Sequence, residues 1–234
     1  MNVPHLFVLA GGFGTRLQSV VSDVPKPLAP VNGHPFLYYQ VKNWISQGLT
    51  SFVFLLHSKA DMIIEFLENE QNGLLRFCTV KYLIEPEPMG TGGALAYAVQ
   101  QLKFDESFLV TNADTWLGLG AAEIIECGPD CMAIINVDNS GRYGSVRITD
   151  EYITLFNEKS EDSSPGWINA GLCYLDSNTF KNWDGKPFSL EKTIFPALAI
   201  EGTLKAVKLK TDFIDIGVPA DYQLFCTLAK NNNL

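Results

Sequence analysis

The sequence is poor in positive charge and has no long apolar segment. Its 234 residues carry 17 lysines and arginines against 26 aspartates and glutamates, a net charge of −9. This balance argues against a nucleic-acid-binding or anionic-membrane-binding surface, because such surfaces need a positive field. No apolar run approaches the roughly 20 residues that span a bilayer. A small phosphorylated ligand held by a few cations is compatible with this composition.

Cysteines are also few, and their spacing is irregular. The five cysteines form an odd number, and neither a second Cys pair nor a nearby histidine joins Cys127 and Cys131 in a zinc set. Residues 1–5 lack the basic region of a signal peptide. We therefore expect free thiols and a cytoplasmic protein that binds neither nucleic acid nor membrane.

What the sequence does contain is an alternation of short apolar runs and amphipathic segments. This order of strands and helices predicts a parallel sheet with helices on both faces, since parallel strands are joined by crossover helices. The predicted strands lie at 6–10, 52–56, 80–84, 108–110 and 132–137, and the predicted helices at 36–47, 61–70, 93–102 and 119–127.

After residue 137 the pattern changes to short segments separated by polar turns. These segments predict antiparallel additions to the same sheet. With no repeat or linker, the chain is expected to form one domain over 1–234, a Rossmann-like three-layer α/β sandwich with a mixed, mainly parallel sheet. In such folds ligands bind outside the carboxyl ends of the strands. The later predicted strands lie at 144–148, 152–156 and 170–174, and the later helices at 190–199 and 220–230.

A glycine-rich loop with two cations follows the first predicted strand. Three glycines in four positions, in the run GGFGTRL at 11–17, let backbone N–H groups approach an anion closely. A dinucleotide fingerprint would need a third glycine where Leu17 stands, and the Gly-Lys-Ser/Thr of a P-loop is missing. Instead the loop carries Arg16, whose guanidinium suits phosphate oxygens. Ten residues later Lys26 stands between two prolines that keep the backbone extended.

This combination, GGxGTRL followed by PKPL, resembles the opening of the sugar-1-phosphate nucleotidyltransferases, the nucleoside-diphosphate-sugar pyrophosphorylases. Further segments extend the resemblance over nearly the whole chain. The run at 85–94 is similar to the nucleotide-base loop of that family. The runs at 112–114 and 213–217 are similar to the segments that carry its two metal-binding aspartates, and those at 158–159 and 169–171 to its sugar-phosphate pocket.

The resemblance implies transfer of a nucleotidyl group from a nucleoside triphosphate to a sugar 1-phosphate, with Mg²⁺ as cofactor. Residues 1–137 would form mainly the nucleotide-binding half and 138–234 mainly the sugar-phosphate-binding half. The implied site residues are Leu9, Ala10, Gly11, Gly12, Gly14, Thr15, Arg16, Glu85, Gly90 and Thr91 for the nucleotide; Glu158, Lys159, Asn169 and Gly171 for the sugar phosphate; Asp114 and Asp215 for the metal; and Arg16 and Lys26 for catalysis.

Two readings of the aspartates compete, and one position departs from the family pattern. Taken alone, Asp114 could cap a helix and Asp215 could belong to a turn; their placement in two family motifs favours a metal site. Ala113 stands where the family usually has glycine, and its methyl group is expected to crowd the nucleotide or to shift Asp114 slightly.

Within the family, the sequence most resembles the D-glycero-α-D-manno-heptose 1-phosphate guanylyltransferases, which supply GDP-heptose for surface glycans such as capsule or lipopolysaccharide. Glu85 and the backbone near Gly90 are the candidates for binding the guanine edge. The alternatives are a mannose-1-phosphate guanylyltransferase, an N-acetylmuramate- or hexose-1-phosphate uridylyl- or thymidylyltransferase, and a nucleotide-sugar-binding regulator without turnover. We expect a monomer or a small homo-oligomer.

Overall fold

The chain forms two compact units that interleave along the sequence. The computed structural model describes residues 3–14, 17, 21–158 and 164–231, so Thr15, Arg16 and Lys159 lie outside the described residues. The chain leaves the first unit and re-enters it twice, so the two units do not correspond to two continuous halves of the sequence. The predicted functional division at residue 137 stays a prediction. The first unit comprises Met1–Glu87, Thr111–Gly118 and Asp212–Leu234, and the second Pro88–Val110 and Leu119–Thr211.

The first unit begins with parallel strands joined by helices. Its early elements are β1 (Leu6–Leu9), β2 (Pro30–Val31), β3 (His34–Pro35), α1 (Phe36–Ser46), β4 (Ser51–Leu56), α2 (Ala60–Asn69) and β5 (Thr79–Ile84). Strands β5, β4 and β1 pair in this order and all in parallel. The apolar runs of β1 and β4 are almost entirely buried, as expected for strands covered on both faces.

The elements that follow are α3 (Gly90–Leu102), β6 (Phe108–Asn112), β7 (Thr115–Leu117), α4 (Ala121–Cys127), β8 (Cys131–Val137), β9 (Ser145–Thr149), β10 (Tyr152–Asn157), β11 (Gly166–Leu175), α5 (Phe195–Glu201), β12 (Lys205–Lys208), β13 (Phe213–Asp215) and α6 (Pro219–Asn231). Short 3₁₀ turns occupy Lys26–Leu28 and Ser177–Phe180, and a π-helical turn spans Leu190–Ile194. Of these elements, β7, β13 and α6 belong to the first unit.

Pairing in the second unit is mostly antiparallel. Strand β8 pairs with β11 in antiparallel and with β12 in parallel orientation, and β10 pairs in antiparallel orientation with both β12 and β9. The chain therefore has mixed pairing, as the sequence predicts.

Most predicted elements are confirmed to within a few residues, and the differences have local causes. Helix α3 begins at Gly90 rather than at residue 93, since the glycines of that loop are already helical. The predicted helix at 190–199 is a π-helical turn followed by α5. Five described strands were missed, each only two to four residues long: β2, β3, β7 and β13 of the first unit and β12 of the second. Of these, β7 and β13 pair with each other in antiparallel orientation.

The cysteines are in the reduced state that the sequence predicts. All five are free thiols. Burial raises the pKa of Cys131 and of Cys173, which keeps both thiols protonated at neutral pH. Among the described residues, no helix is both long and apolar enough to cross a membrane.

Candidate active site

The glycine loop after β1 has one glycine beside open space. The loop is anchored where the Ala10 N–H donates to the Leu55 carbonyl at 2.9 Å. A Cβ added at Gly12 would meet no heavy atom of the described residues within 4 Å, whereas one at Gly11 would lie 2.7 Å from Glu85 Oε1. Gly11 is therefore required by the protein's own packing, and Gly12 leaves its backbone open to a ligand.

Lys26 lies along the far side of the same loop. Gly14 has a φ of +64°, and a Cβ there would lie 2.9 Å from Lys26 Cγ. The apolar stem of the lysine thus occupies the space that glycine leaves, and the loop fixes where its ammonium group lies. The preceding Pro25 is extended, but Lys26 itself begins the 3₁₀ turn Lys26–Leu28, so the prediction of extended backbone on both sides of the lysine is wrong. Pro27 is tolerated there because the N–H that proline lacks has no partner in the first turn of a helix.

The two predicted metal-binding aspartates come together through β7 and β13. In this antiparallel pair Asp215 lies opposite Thr115, and the Ile216 N–H donates to the Asp114 carbonyl at 3.0 Å. Ile214 and Ile216 are buried in the apolar core of the first unit. Because side chains alternate along a strand, Asp215 projects away from that core.

Lys26, Asp114 and Asp215 form one polar group, called here the lysine–aspartate cluster. Lys26 Nζ donates to Asp114 Oδ2 at 3.0 Å, and the lysine side chain is only 12% exposed. The Gly217 N–H donates to Asp215 Oδ1 at 2.8 Å. A Cβ at Gly217 would lie 2.8 Å from that Oδ1 and 3.3 Å from Lys26 Nζ, so the glycine allows the cluster to close.

The donor chemistry of the cluster fits Mg²⁺. Two carboxylates supply hard oxygen ligands, and Mg²⁺ typically takes one or two protein carboxylates, completing its octahedron with water and phosphate oxygens. No three His, Cys, Asp or Glu side chains of the described residues lie close enough to hold a metal by themselves. Asp114 and Asp215 are therefore the residues that could hold such an ion together with a phosphorylated substrate.

The structure gives Glu85 and Ala113 packing roles. Glu85 directly follows β5, is 8% exposed and has its carboxylate beside Gly11, so it supports the glycine loop. Its predicted contact with guanine stays a prediction. Ala113 is 1% exposed, and its N–H donates to the Leu9 carbonyl at 3.0 Å. Its methyl group is enclosed by protein, which argues against the expected crowding of the nucleotide.

In the second unit, Phe188 occupies the space beside the glycines of the predicted base loop at the start of α3. A Cβ at Gly92 would lie 2.1 Å from a ring carbon of Phe188, and one at Gly90 2.6 Å from the Phe188 carbonyl. The Thr91 hydroxyl donates to Glu191 Oε2 at 2.7 Å. Glycines that the resemblance assigns to a flat base are thus already required by Phe188.

The predicted sugar-phosphate residues also lie in the second unit. Glu158 follows β10 and has Lys192 Nζ 3.4 Å from its Oε2. The pairing of β11 with β8 shifts register between Asn169 and Cys173, and in this stretch the Asn169 Oδ1 accepts the Gly171 N–H at 2.9 Å while Gly171 has a φ of +78°. Breaks in a strand ladder often redirect side chains next to active sites.

Comparison with known proteins then gives the family. Residues 6–226 match the family described as Nucleotidyl transferase. The chain belongs to this family. It is 31% identical to a D-glycero-alpha-D-manno-heptose 1-phosphate guanylyltransferase of Campylobacter jejuni, a match that covers 93% of this chain and 96% of that protein. It is 32% identical to probable mannose-1-phosphate guanylyltransferase 1 of Oryza sativa, covering 92% of this chain and 62% of that protein.

A solved structure extends the likeness to the fold of this nucleotidyl transferase. HddC from Yersinia pseudotuberculosis, crystallised in complex with GMP-PN, is 35% identical and superposes with a TM-score of 0.81, covering 96% of this chain and 98% of that one. The predicted α/β fold of the nucleotide-diphospho-sugar transferase type is thereby confirmed.

Lys59 is a cation beside the glycine loop that no sequence motif identified. Lys59 precedes α2 with a left-handed φ of 53°, and its Nζ donates to the Ser22 carbonyl at 2.8 Å. In the sequence it is one unremarkable lysine outside any motif. It lines a cavity together with Lys26 and the open glycine. The lining residues are Gly12, Phe13, Gly14, Val21, Ser22, Val24, Pro25, Lys26, Ser58 and Lys59.

Proposed function

We propose that this chain is a sugar-1-phosphate guanylyltransferase that makes a GDP-sugar and pyrophosphate from GTP and a sugar 1-phosphate. The observation that carries the proposal is the lysine–aspartate cluster, in which Lys26 Nζ lies 3.0 Å from Asp114 Oδ2 and borders the turn of Asp215. A cation and two carboxylates beside an open glycine loop suit a phosphate-bound metal. Membership of the nucleotidyl transferase family supports the same reaction.

In this reaction an oxygen of the sugar phosphate attacks the α-phosphorus of GTP. The bond from that phosphorus to the bridging oxygen breaks, and pyrophosphate leaves. No covalent enzyme intermediate is needed, so the protein contributes positioning and charge neutralisation. Lys26 stabilises charge near the α-phosphate, and the backbone at Gly12 faces the phosphates. Arg16 and Lys159, outside the described residues, are proposed for the terminal phosphates and for the sugar phosphate.

Mg²⁺ is the proposed cofactor, held by Asp114 and Asp215. When bound, it would neutralise phosphate charge and polarise the phosphoryl group as a Lewis acid. The role of Lys26 is separate from this, because an ammonium group bound to one carboxylate oxygen leaves the other oxygen of Asp114 for a metal. The cluster thus offers both a fixed cation and a site for an exchangeable one.

Guanine is the preferred base because two similar relatives are guanylyltransferases and HddC was crystallised with GMP-PN. The sugar is proposed to be D-glycero-α-D-manno-heptose 1-phosphate, since the Campylobacter jejuni relative of that name matches this chain along almost its full length. Glu158 and Asn169 are the proposed partners of the sugar hydroxyls. The product would then be GDP-heptose, a donor for surface glycans.

Mannose 1-phosphate is the second candidate, favoured by the Oryza sativa relative. A uridylyl- or thymidylyltransferase and a regulator without turnover are weaker alternatives. A regulator has no need of the full charged set, and Lys26, Asp114 and Asp215 are all present here.

The test is a pyrophosphate-release screen of GTP, UTP, dTTP, CTP and ATP against heptose, mannose, glucose and N-acetylmuramate 1-phosphates. We expect the fastest release with GTP and the manno-configured heptose, and loss of activity when EDTA removes Mg²⁺. Faster release with UTP or dTTP for every sugar would overturn the guanine assignment. No release with any pair, alongside binding of a GDP-sugar, would support the regulator.

A further inference from the structure

Residues Leu190–Ile194 form a π-helical turn in the second unit. Such turns are rare and often lie at functional sites. It is entered through Ser189, whose Oγ accepts the Lys192 N–H at 3.3 Å and whose carbonyl accepts the Thr193 N–H at 3.0 Å. Glu191 and Lys192 are therefore presented as adjacent side chains of opposite charge at a defined place in the second unit.

Glu191 fixes this turn to the start of α3. Its Oε2 accepts hydrogen bonds from the Thr91 hydroxyl at 2.7 Å and from the Ser189 hydroxyl at 2.6 Å. The Thr91 oxygen in turn accepts the Leu190 N–H at 2.9 Å. Two residues before the turn, the Phe188 carbonyl accepts the N–H groups of Gly92 and Gly93 at 3.0 and 3.1 Å.

Lys192 connects the same turn to the carboxylate after β10. Its Nζ lies 3.4 Å from Glu158 Oε2, with the lysine side chain 70% and the glutamate side chain 34% exposed. An ion pair this exposed contributes little to folding stability. What it can do is hold one carboxylate in one orientation, because the lysine starts from a turn that several hydrogen bonds fix.

We propose that Lys192 is a positioning residue for the sugar 1-phosphate, acting by holding the Glu158 carboxylate toward the sugar hydroxyls. The inference rests on the proposed function, in which Glu158 binds the sugar. Glu191 fixes the turn that carries Lys192, through its hydrogen bond with Thr91 at the start of α3. The consecutive residues Glu191 and Lys192 thus connect the start of α3 with the Glu158 carboxylate. Lys192 itself need not touch the substrate.

The primary test compares wild type, Lys192→Met, Lys192→Arg and Lys186→Met in steady state with GTP and the sugar 1-phosphate that gives the fastest pyrophosphate release in the screen above. Methionine keeps the length of the lysine stem and removes its charge, and arginine restores a cation. Lys186 is the matched control, because it forms a comparable exposed pair with Asp184 in the same unit. We expect Lys192→Met to raise the KM for the sugar phosphate about fivefold, with the KM for GTP unchanged, and arginine to restore most of the loss.

Action through Glu158 is tested in a double-mutant cycle. If Lys192 works only by orienting that carboxylate, Lys192→Met should add no further increase in KM to Glu158→Gln. Additive effects would overturn the positioning role, as would an unchanged sugar KM in Lys192→Met. Calorimetric binding of the same sugar 1-phosphate to these variants separates failure of the proposed function from failure of this inference. Wild type that neither binds nor turns over any sugar 1-phosphate of the screen refutes the proposed function, whereas active wild type in which Lys192→Met changes nothing refutes only this inference.

Discussion

The two glycine-rich loops of the chain, at 11–14 and at 90–93, look alike in sequence and differ in what lies beside them. At Gly12 a Cβ would meet no heavy atom of the described residues within 4 Å. At Gly92 a Cβ would lie 2.1 Å from the Phe188 ring. The first loop keeps backbone open beside Lys26, and the second is closed by an aromatic side chain of its own unit.

The difference shows that a run of glycines by itself does not identify a ligand site. Glycine is required wherever backbone and another group approach closely, and that group can be a phosphate or a phenyl ring. In the first loop the charge of Lys26, paired with Asp114 at 3.0 Å, favours a phosphate. In the second loop, the hydrogen bond from Thr91 to Glu191 favours a structural role. A nucleotide base could contact this loop only on the side away from Phe188. Substitutions at the two loops should therefore have different signatures.

The largest effect is expected from Lys26→Met. Methionine retains the apolar stem beside Gly14, so the loop should fold normally, while the charge near the α-phosphate is lost. We expect kcat to fall about 100-fold or more, by analogy with the loss of one preorganised transition-state donor. Lys81→Met, an exposed lysine of β5, is the control in the same unit. A change confined to the KM for GTP would mean that Lys26 only binds substrate.

Gly92→Ala should act on stability instead. The added methyl group meets a ring in a buried position, and overpacking of this kind costs about 1–3 kcal/mol, partly offset by the better helix propensity of alanine. A thermal melt should show a net loss of about 1–2 kcal/mol. Adding Phe188→Leu should recover part of it, because the ring is what the methyl group meets. A melt identical to wild type would contradict the closed-loop description.

Much of the fold could be predicted because apolar runs and helical periodicity are local signals. The β7–β13 pair could not, since Thr115–Leu117 and Phe213–Asp215 are too short to show periodicity and are joined only by the folded chain. For the same reason the sequence could name Asp114 and Asp215 through a resemblance but could not show that they adjoin. The closure of Gly92 by Phe188 is likewise a long-range contact that no local pattern carries.

Gly12→Ala is the matched opposite of Gly92→Ala. The position has room for a methyl group and does not have the positive φ of Gly14, so the melting temperature should stay within about a degree or rise slightly, as the unfolded chain loses entropy. The methyl group would occupy the space where phosphate oxygens approach the backbone. We expect the KM for GTP to rise roughly tenfold with the sugar KM unchanged. Gly73→Ala, in the turn after α2, controls for the loss of a glycine, and an unaffected GTP KM would show that the open face is not the phosphate site.

The smallest expected effect comes from Lys59→Gln, which tests whether the cavity beside the first loop takes the phosphates at all. Glutamine can still donate to the Ser22 carbonyl, so the substitution removes charge while leaving that contact possible. Lys59 is exposed, and one exposed charge acting on a phosphate through solvent is worth little; a rise of about threefold in the KM for GTP is expected at low salt. The difference from wild type should shrink as ionic strength approaches 1 M, where the screening length falls to about 3 Å. Lys42→Gln on α1 is the matched control. If Lys59→Gln behaves like that control at low salt, the phosphates do not lie in this cavity, and the open backbone at Gly12 must face another part of the nucleotide.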